Sequence, residues 1–283
     1  MTLDTRTAGL TVVALVAFAA NSLLCRAALA GGFSDATTFT TLRLIGGAVA
    51  LGLLVRARGS PRARAGGGWL SAAALFVYAV TFSLAYVRIP AGTGALLAFA
   101  AVQLTMLGGG LLAGERPRSR EWWGLGLSLA GLVALTRPGL AQPDPAGAAL
   151  MVGAGAAWGL YSLRGRGAGD PLSVNAVNFA HSVPLTLLAS ALGLAMGDLH
   201  LTPVGASLAL ASGAITSGLG YAVWYAALRG LSATHGAIVQ LSVPPLTALG
   251  GVLLLGEALT ARLAVAGLVI LGGIALAISS RER

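Results

Sequence analysis

The sequence predicts an all-α polytopic membrane protein with ten transmembrane helices arranged as two inverted five-helix repeats. Three observations support this prediction: a very apolar composition, a series of apolar segments of membrane-spanning length, and an internal duplication. Of the 283 residues, 56% are hydrophobic and only 10% are charged, and the mean hydropathy is +0.84. So few polar side chains could not cover the surface of a soluble domain. The 41 glycines suit helices that pack closely in lipid.

The duplication is visible in two stretches that lie 142 residues apart. Residues 92–115 read GTGALLAFAAVQLTMLGGGLLAGE, and residues 234–257 read THGAIVQLSVPPLTALGGVLLLGE. Each stretch ends on Gly-Glu, where the glycine suits a helix C-terminus and the glutamate is expected to pair with a loop arginine or cap the following helix. We therefore divide the chain into a first repeat, residues 1–140, and a second, residues 141–283, joined near the prolines between Arg137 and Pro145.

Polar and Pro/Gly-rich breaks divide the chain into ten apolar segments. Each is about long enough to cross roughly 30 Å of hydrocarbon as a helix that rises about 1.5 Å per residue. The fifth is the shortest, but Trp122 and Trp123 suit an interfacial anchor at its start. The predicted segments are Ala8–Ala30, Thr37–Val55, Trp69–Val87, Ala91–Ala113, Trp122–Thr136, Ala146–Leu163, Leu172–Ala195, Val204–Leu228, Ala233–Leu255 and Leu263–Ser280.

The net charge of +9 indicates orientation in the membrane rather than nucleic-acid binding, because every basic residue is an arginine and most lie in short loops. With a cytoplasmic N-terminus, thirteen loop arginines fall on the cytoplasmic side and three, Arg88, Arg137 and Arg262, on the other. This bias predicts that both termini are cytoplasmic. Five helices per repeat is an odd number, so the second repeat enters the membrane from the opposite side. The Ala-, Gly- and Arg-rich usage is typical of a GC-rich bacterial genome, which predicts the bacterial inner (cytoplasmic) membrane.

These features resemble the drug/metabolite transporter superfamily, and in particular its EamA-type exporters. The resemblance covers nearly the whole chain. It rests on the two five-helix halves, on the closing segments LLAGE (Leu111–Glu115) and LLLGE (Leu253–Glu257), and on AWG at Ala157–Gly159. The first half departs from the pattern, with Phe18–Ala19 where the family usually shows Trp-Gly. YddG-type amino-acid exporters are similar, so the resemblance implies export of small organic metabolites, with amino acids as the expected class.

Aromatic and polar side chains within the segments are the candidate substrate-binding residues. At an offset of 140, Phe18 and Asn21 pair with Trp158 and Tyr161 of the other repeat. Equivalent helices therefore carry aromatic residues that could line one central cavity, although aromatic residues at helical spacing also pack in cores or anchor at interfaces. The predicted substrate-binding set is Asn21, Arg43, Tyr78, Phe82, Trp158, Tyr161, His181, Trp224, Gln240 and Ser242.

Arg43 is the one charged residue well inside an apolar segment. Polar side chains at such positions are costly against lipid and usually face the bundle or a cavity. A guanidinium can hold a substrate carboxylate with two parallel hydrogen bonds, or it can snorkel or tie helices together, and the sequence leaves these roles open. His181 could similarly bind substrate, carry a proton or pack as a hydrogen-bonded side chain.

Three prolines are candidate hinges. Pro244 and Pro245 interrupt the ninth segment, and Pro184 lies in the seventh. A proline cannot donate to the carbonyl four residues before it, so protein, water or ligand must satisfy the carbonyls that it leaves free. A kink without any ligand contact would give the same sequence pattern.

Other functions fit the sequence less well. A membrane-embedded lipid-modifying enzyme would need clustered acids, bases or metal ligands at helix depth, whereas all nine carboxylates fall in loops or at helix ends. An exchanger of phosphorylated sugars or nucleotide sugars would need clustered cations. We therefore expect a non-enzymatic transporter without cofactor, metal or nucleic-acid partner, present as a monomer in the lipid bilayer. Facilitative alternating access is expected because no carboxylate lies inside a predicted span.

Overall fold

The computed structural model describes residues 4–59, 67–116, 118–136, 143–196 and 199–278. These ranges are almost entirely helical, and the β-type pairing found in them is one bridge between Ser34 and Leu201. We number the helices α1 Thr5–Ala30, α2 Ala36–Ala57, α3 Trp69–Arg88, α4 Ala91–Leu112, α5 Ser119–Thr136, α6 Pro145–Gly165, α7 Pro171–Met196, α8 Pro203–Leu228, α9 Ala233–Gln240 with Val243–Leu255, and α10 Ala261–Ile278.

The helices match the predicted segments to within a few residues, which confirms the all-α polytopic class. In the described part of the chain, eight helices, α1 to α4 and α6 to α9, are long and apolar enough to cross a membrane. The other two, α5 and α10, have 18 residues each and pack against each other. The count of ten spans stays a prediction. The boundary predicted between residues 140 and 141 lies outside the described residues, as do Arg62, Arg64, Arg137, Arg281 and Arg283 of the arginine count.

Local sequence explains where several helices begin and end. Asp35, Asp144 and Ser232 each accept a hydrogen bond from a backbone N–H in the first turn of the helix that follows. This satisfies one of the donors that every helix N-terminus leaves without an intrahelical partner. Gly114 and Gly256 adopt φ angles of 84° and 65° just after α4 and α9. Glycine favours this left-handed conformation, so the Gly-Glu motif ends a helix in each repeat.

The two halves interlock rather than lying side by side. Helix α6 packs on α3 and α4, and its equivalent in the first half, α1, packs on α8 and α9. Helix α2 packs on its equivalent α7, as α5 packs on α10. The contacts that a helix makes with the opposite half are therefore repeated by its equivalent helix. This is the contact pattern of two repeats related by a pseudo-two-fold axis.

Glycines allow the helices of the two halves to touch backbone to backbone. A side chain at Gly155 of α6 would collide with the carbonyl oxygen of Ala98 in α4, and one at Gly213 of α8 would collide with the carbonyl oxygen of Arg43 in α2. Small residues at such crossings are the usual means of close helix packing in lipid. The contact at Gly213 brings α8 directly against the segment that carries Arg43.

Two helices depart from the regular α form. Helix α8 is π-helical over Ser212–Leu219, which the sequence analysis did not predict. The first part of α9 ends at Gln240, and the second part begins at Val243. The segment predicted as continuous is therefore interrupted at Leu241 and Ser242, just before the prolines at 244 and 245. Pro184, by contrast, lies within an uninterrupted α7.

Candidate functional site

Arg43 lies in the core of the bundle and is fully buried. Its Nε donates to Ser217 Oγ at 2.9 Å, and its Nη2 donates to the hydroxyls of Tyr221 and Tyr78 at 2.6 and 3.3 Å. The remaining nitrogen, Nη1, has no hydrogen-bond partner among the described residues. The ion pairs found in the same residues do not include Arg43. The guanidinium is therefore a buried cation held by neutral hydroxyl groups.

The π-helical segment of α8 brings three hydroxyl groups to Asn21 of α1. Ser212, Thr216 and Ser217 donate to Asn21 Oδ1 at 2.7, 3.3 and 3.2 Å. Because each backbone hydrogen bond of a π-helix joins residues that are five apart, the side chains of Ser212 and Ser217 are brought towards one face of α8. Asn21 Nδ2 donates to Tyr78 Oη at 3.3 Å, the same oxygen that accepts from the guanidinium. Asn21 thus links α1 to the polar group around the buried cation.

Aromatic rings from both halves surround this polar group. Phe18 and Trp158 meet edge to face, with ring centroids 5.1 Å apart. Tyr78 lies 5.1 Å from Trp158 and 5.0 Å from Phe82, measured between ring centroids. The rings of Tyr78 and Phe82 lie 5.2 and 5.4 Å from the guanidinium carbon of Arg43. We refer to the side chains of Phe18, Asn21, Arg43, Tyr78, Phe82, Trp158, Ser217 and Tyr221 as the Arg43 cluster.

The Arg43 cluster is closed. The cavity lined by Phe18, Ser22, Tyr78, Phe82 and Trp158 has a volume of about 10 Å³. That is roughly the space that one water molecule needs. An organic solute can enter the cluster only after the surrounding helices move apart.

Three further predicted binding residues lie beside the cluster and join helices through hydrogen bonds. Gln240 Oε1 accepts from Trp158 Nε1 at 2.7 Å. Tyr161 Oη donates to Asn175 Oδ1 at 2.7 Å. Trp224 is fully buried, and its indole N–H donates to a serine hydroxyl of α6 at 3.1 Å. These polar atoms already have partners, so they are less available to a substrate than Arg43.

The last two predicted binding residues lie apart from the cluster. His181 stacks on Trp69 with ring centroids 4.7 Å apart, and Trp69 is 59% exposed, which puts this histidine at the edge of the bundle. Ser242 occupies the turn between the two parts of α9, where its backbone N–H donates to Val239 O at 3.1 Å. In the described residues, neither side chain has a hydrogen bond or ring contact with the Arg43 cluster.

Phe18, Tyr221 and Ser217 belong to the cluster but were not in the predicted substrate-binding set. Phe18 was noted only as the repeat equivalent of Trp158. A signal for Tyr221 was present, because it shares a helical face with Trp224 and Tyr225. No sequence pattern indicated Ser217, because its approach to Arg43 depends on the π-helical segment.

Glu115, at the end of the first-half motif, forms a contact between the halves. It accepts hydrogen bonds from the backbone N–H groups of Ala233 and Thr234, at 3.0 and 3.2 Å, and pairs with Arg166 at 3.0 Å. It therefore caps α9 of the other half rather than the following helix. Burial raises the pKa of Glu115, but these N–H groups, the Thr234 hydroxyl and Arg166 outweigh that effect and leave the pKa below its usual value. We call this contact the Glu115 latch.

Glu257 makes the equivalent contact at the opposite end of the bundle. It accepts from the backbone N–H of Ala91 at 3.0 Å, at the start of α4, and pairs with Arg26 at 3.1 Å. Arg26 also donates to the carbonyl oxygen of Tyr86 at 2.7 Å. We call this contact the Glu257 latch. The repeat motif thus joins the halves once at each end.

His235 has an acidic partner that is distant in the sequence. Its Nε2 lies 3.6 Å from Glu121 Oε1, and its Nδ1 forms a hydrogen bond with Ser232 Oγ. These residues lie at the start of α9 and α5, at the same end as the Glu115 latch. A titratable pair therefore stands at one end of the bundle, away from the Arg43 cluster.

The fold and the site together define a polytopic α-helical membrane protein with a closed polar and aromatic centre between two interlocked halves. A model of the EamA-like transporter family matches residues 6–137 and again residues 145–279. The chain therefore belongs to the EamA-like transporter family, and it is a multi-pass membrane transporter. This confirms the family predicted from the motifs, whereas the resemblance to YddG-type exporters stays a prediction.

Two similar proteins extend this result. An uncharacterized protein of Pseudomonas aeruginosa, PA1977, is 56% identical over 279 residues, which are 98% of this chain and 96% of that protein. A crystal structure of a protein with 20% sequence identity superposes with a TM-score of 0.74 and covers 97% of both chains. The second similarity concerns the fold alone.

Proposed function

We propose that this transporter exports small organic solutes that carry a carboxylate, amino acids above all, by alternating access around the Arg43 cluster. The observation that supports the proposal is the buried guanidinium of Arg43, whose Nη1 has no partner among the described residues. Removing an ion from water costs several kcal/mol, and neutral hydroxyls offset this cost only in part. A substrate carboxylate would supply the missing charge and accept charge-assisted hydrogen bonds.

The surroundings of Arg43 favour a solute that also has an apolar part. The rings of Phe18, Phe82 and Trp158 offer apolar surface, and an aromatic face attracts an ammonium group through the cation–π interaction. Phosphate binding usually uses several cations. One guanidinium in the described core therefore fits a carboxylate better than a phosphorylated or nucleotide sugar.

Transport requires the closed cluster to open at one end at a time. We propose that the two halves rock around the Arg43 cluster, with the Glu115 latch and the Glu257 latch released alternately. The break in α9 before Pro244 and Pro245 is the best candidate hinge, because the helix is already interrupted there. Pro184 is a weaker candidate, since α7 is continuous.

We propose that transport is facilitative and that the solute gradient sets its outward direction. The support is that no described carboxylate belongs to the Arg43 cluster, where a proton would have to be coupled to the substrate. The pair formed by His235 and Glu121 is the alternative proton site. The arginine distribution and the sequence composition support a bacterial inner membrane and cytoplasmic termini, and we propose these, together with a monomer, as further parts of this function.

Counterflow in proteoliposomes tests the substrate class. Labelled amino acids, the matching amines without the carboxylate and the matching acids without the amine are compared at equal concentration. We expect the carboxylate-bearing solutes to exchange and the amines not to do so. Arg43→Gln should lower exchange roughly 10- to 100-fold, as the loss of a charge-assisted hydrogen bond implies. Arg56→Gln, an exposed arginine at the end of α2, is the matched control.

Three results would contradict parts of this proposal. Wild-type exchange of amines, or full activity in a folded Arg43→Gln variant, would exclude the carboxylate role. Uphill accumulation driven by a pH gradient, lost in His235→Gln, would replace facilitated diffusion with proton coupling. Thermal unfolding in detergent shows whether each variant is folded.

A further inference from the structure

A second cavity lies at the predicted cytoplasmic end of the bundle, away from the Arg43 cluster. It has a volume of about 330 Å³ and is open at the surface between the start of α1, the start of α7 and the last turns of α8. Its charged lining consists of Arg6, Arg58, Arg229 and Asp170. This cavity has no part in the transport mechanism proposed above.

The charges of this cavity are unbalanced in favour of an anion. The carboxylate of Asp170 already has hydrogen-bond partners, because it accepts from the backbone N–H and the hydroxyl of Ser173 at 2.9 and 2.8 Å. The N–H of Ser173, together with its hydroxyl and the nearby Arg58 and Arg229, keeps the pKa of Asp170 below its usual value. Three guanidinium groups therefore face one carboxylate that already has partners. A ligand with one or two negative charges would balance the site.

The wall of the cavity is apolar. Leu219, Ala222, Val223 and Ala226 line it from α8, and their spacing of three, four and seven residues places them on one helical face. Leu219 is 39% exposed, whereas Trp224 on the opposite face of α8 is fully buried. Ala222, by contrast with Leu219, is buried, so the wall belongs to a cleft between α1 and α7 that reaches the surface at Leu219. A ligand that fits this cavity combines an anionic group at the membrane boundary with an apolar portion that lies against α8 in this cleft.

The charges of this cavity are not repeated in the same form at the other end of the bundle. At the repeat offset of 140, Ala146 stands where Arg6 lies, and at the offset of 142, Val87 stands where Arg229 lies. Arg88, the residue after Val87, lies 3.7 Å from the carboxylate of Asp144. Basic pockets between membrane helices on the cytoplasmic side are suited to anionic lipid headgroups. We propose that this cavity binds the phosphodiester headgroup of an anionic phospholipid, with one acyl chain against α8.

Native mass spectrometry of the full chain in detergent tests this proposal. The protein is titrated with phosphatidylglycerol, cardiolipin and phosphatidylcholine. We expect the two anionic lipids to bind more tightly than phosphatidylcholine. The double variant Arg6→Gln with Arg58→Gln should weaken anionic-lipid binding by roughly fivefold for each arginine at low salt. Arg56→Gln with Arg120→Gln removes two exposed arginines on the same predicted side that do not line the cavity, and should keep the wild-type affinity.

A separate test with glycerol 3-phosphate, which has a phosphate but no acyl chain, distinguishes a lipid headgroup from a free phosphate compound as the ligand. We expect millimolar glycerol 3-phosphate to leave the lipid bound. Its displacement of the lipid at low concentration would indicate a free phosphate site instead. Equal binding of phosphatidylcholine and phosphatidylglycerol to the wild type would overturn the proposal without any variant. Equal losses in the two double variants would show that only overall charge matters.

Discussion

Glu257 of the second half forms an ion pair with Arg26 of the first, with 3.1 Å between Oε1 and Nε. Glu115 and Arg166 form the same pair at the other end of the bundle, at 3.0 Å. Both pairs are intact in a structure whose central cavity is closed. The two latches are thus both formed while the cavity beside the Arg43 cluster has room for about 10 Å³, which is too little for an organic solute.

Release of one latch should open one end of the bundle. Glu257→Gln removes the charge that holds Arg26. We therefore expect the end of the bundle at which α1 and α9 terminate to open more often. A partly exposed ion pair contributes about 1 kcal/mol at most, which corresponds to roughly a two- to fivefold change in the open population. Cys25 is the only cysteine of the chain, is fully buried and neighbours Arg26, so its alkylation by a membrane-impermeant reagent reports this opening.

Glu115→Gln provides the matched control for this prediction, because it weakens the latch at the opposite end. It should leave Cys25 labelling unchanged or reduced. Equal increases in labelling in both variants would indicate general loosening of the bundle rather than release of one end.

Asn21→Asp should separate folding from transport. The aspartate keeps an oxygen acceptor for Ser212, Thr216 and Ser217, and it places a carboxylate beside the polar group that holds Arg43. We expect thermal stability in detergent to be kept or increased and carboxylate exchange to be lost, because the substrate's place is taken by an internal counterion.

Asn21→Ala is the comparison for that variant, since it leaves the hydroxyls of Ser212 and Ser217 without their acceptor, whereas Thr216 also donates to the Ser212 carbonyl oxygen. It should lower the free energy of unfolding by about 1–3 kcal/mol. Full carboxylate exchange in Asn21→Asp would contradict the role proposed for Arg43.

Two glycines of α6 offer a paired test of helix packing. Gly155→Ala would press a methyl group against the Ala98 carbonyl oxygen, whereas a methyl group at Gly153 meets open space. We expect Gly155→Ala to destabilise the fold by about 1–3 kcal/mol or more through overpacking. Gly153→Ala should be neutral or stabilising by up to about 1 kcal/mol. Thermal unfolding of both variants in one detergent measures the difference, and equal stabilities would show that α4 and α6 are not in close contact.

The stability that Glu115 contributes should depend on pH in one direction. Its pKa is lower in the folded protein than its usual value of 4.5. Its contribution is therefore fully present above that value and is lost as the pH falls through the lower folded pKa. The difference in unfolding temperature between wild type and Glu115→Gln should be constant from pH 5 to 8 and shrink in more acid solution. A difference that changes between pH 5 and 8 would point to another group, such as His235.

The sequence allowed the helical segments, the duplication and the family to be predicted, because hydropathy and the repeated Gly-Glu motif act over whole segments. Arg43 was also recognisable, since one charge in an apolar run is conspicuous. The partners of Arg43 were not predictable in the same way. Ser217 reaches it through a π-helical segment that leaves no simple periodicity in the sequence. Glu121 meets His235 only after α5 and α9 pack together.

The single cation at the centre has a consequence for how such a protein could arise. Val183 and Leu185 stand at the two repeat offsets from Arg43, so the second half has no arginine there. A symmetric dimer of half-length chains would place every residue twice around its axis, and two guanidinium groups would repel each other in one closed core. Joining the halves into one polypeptide lets a single copy be charged. Gene fusion therefore makes an asymmetric, singly charged binding site possible within a nearly symmetric bundle.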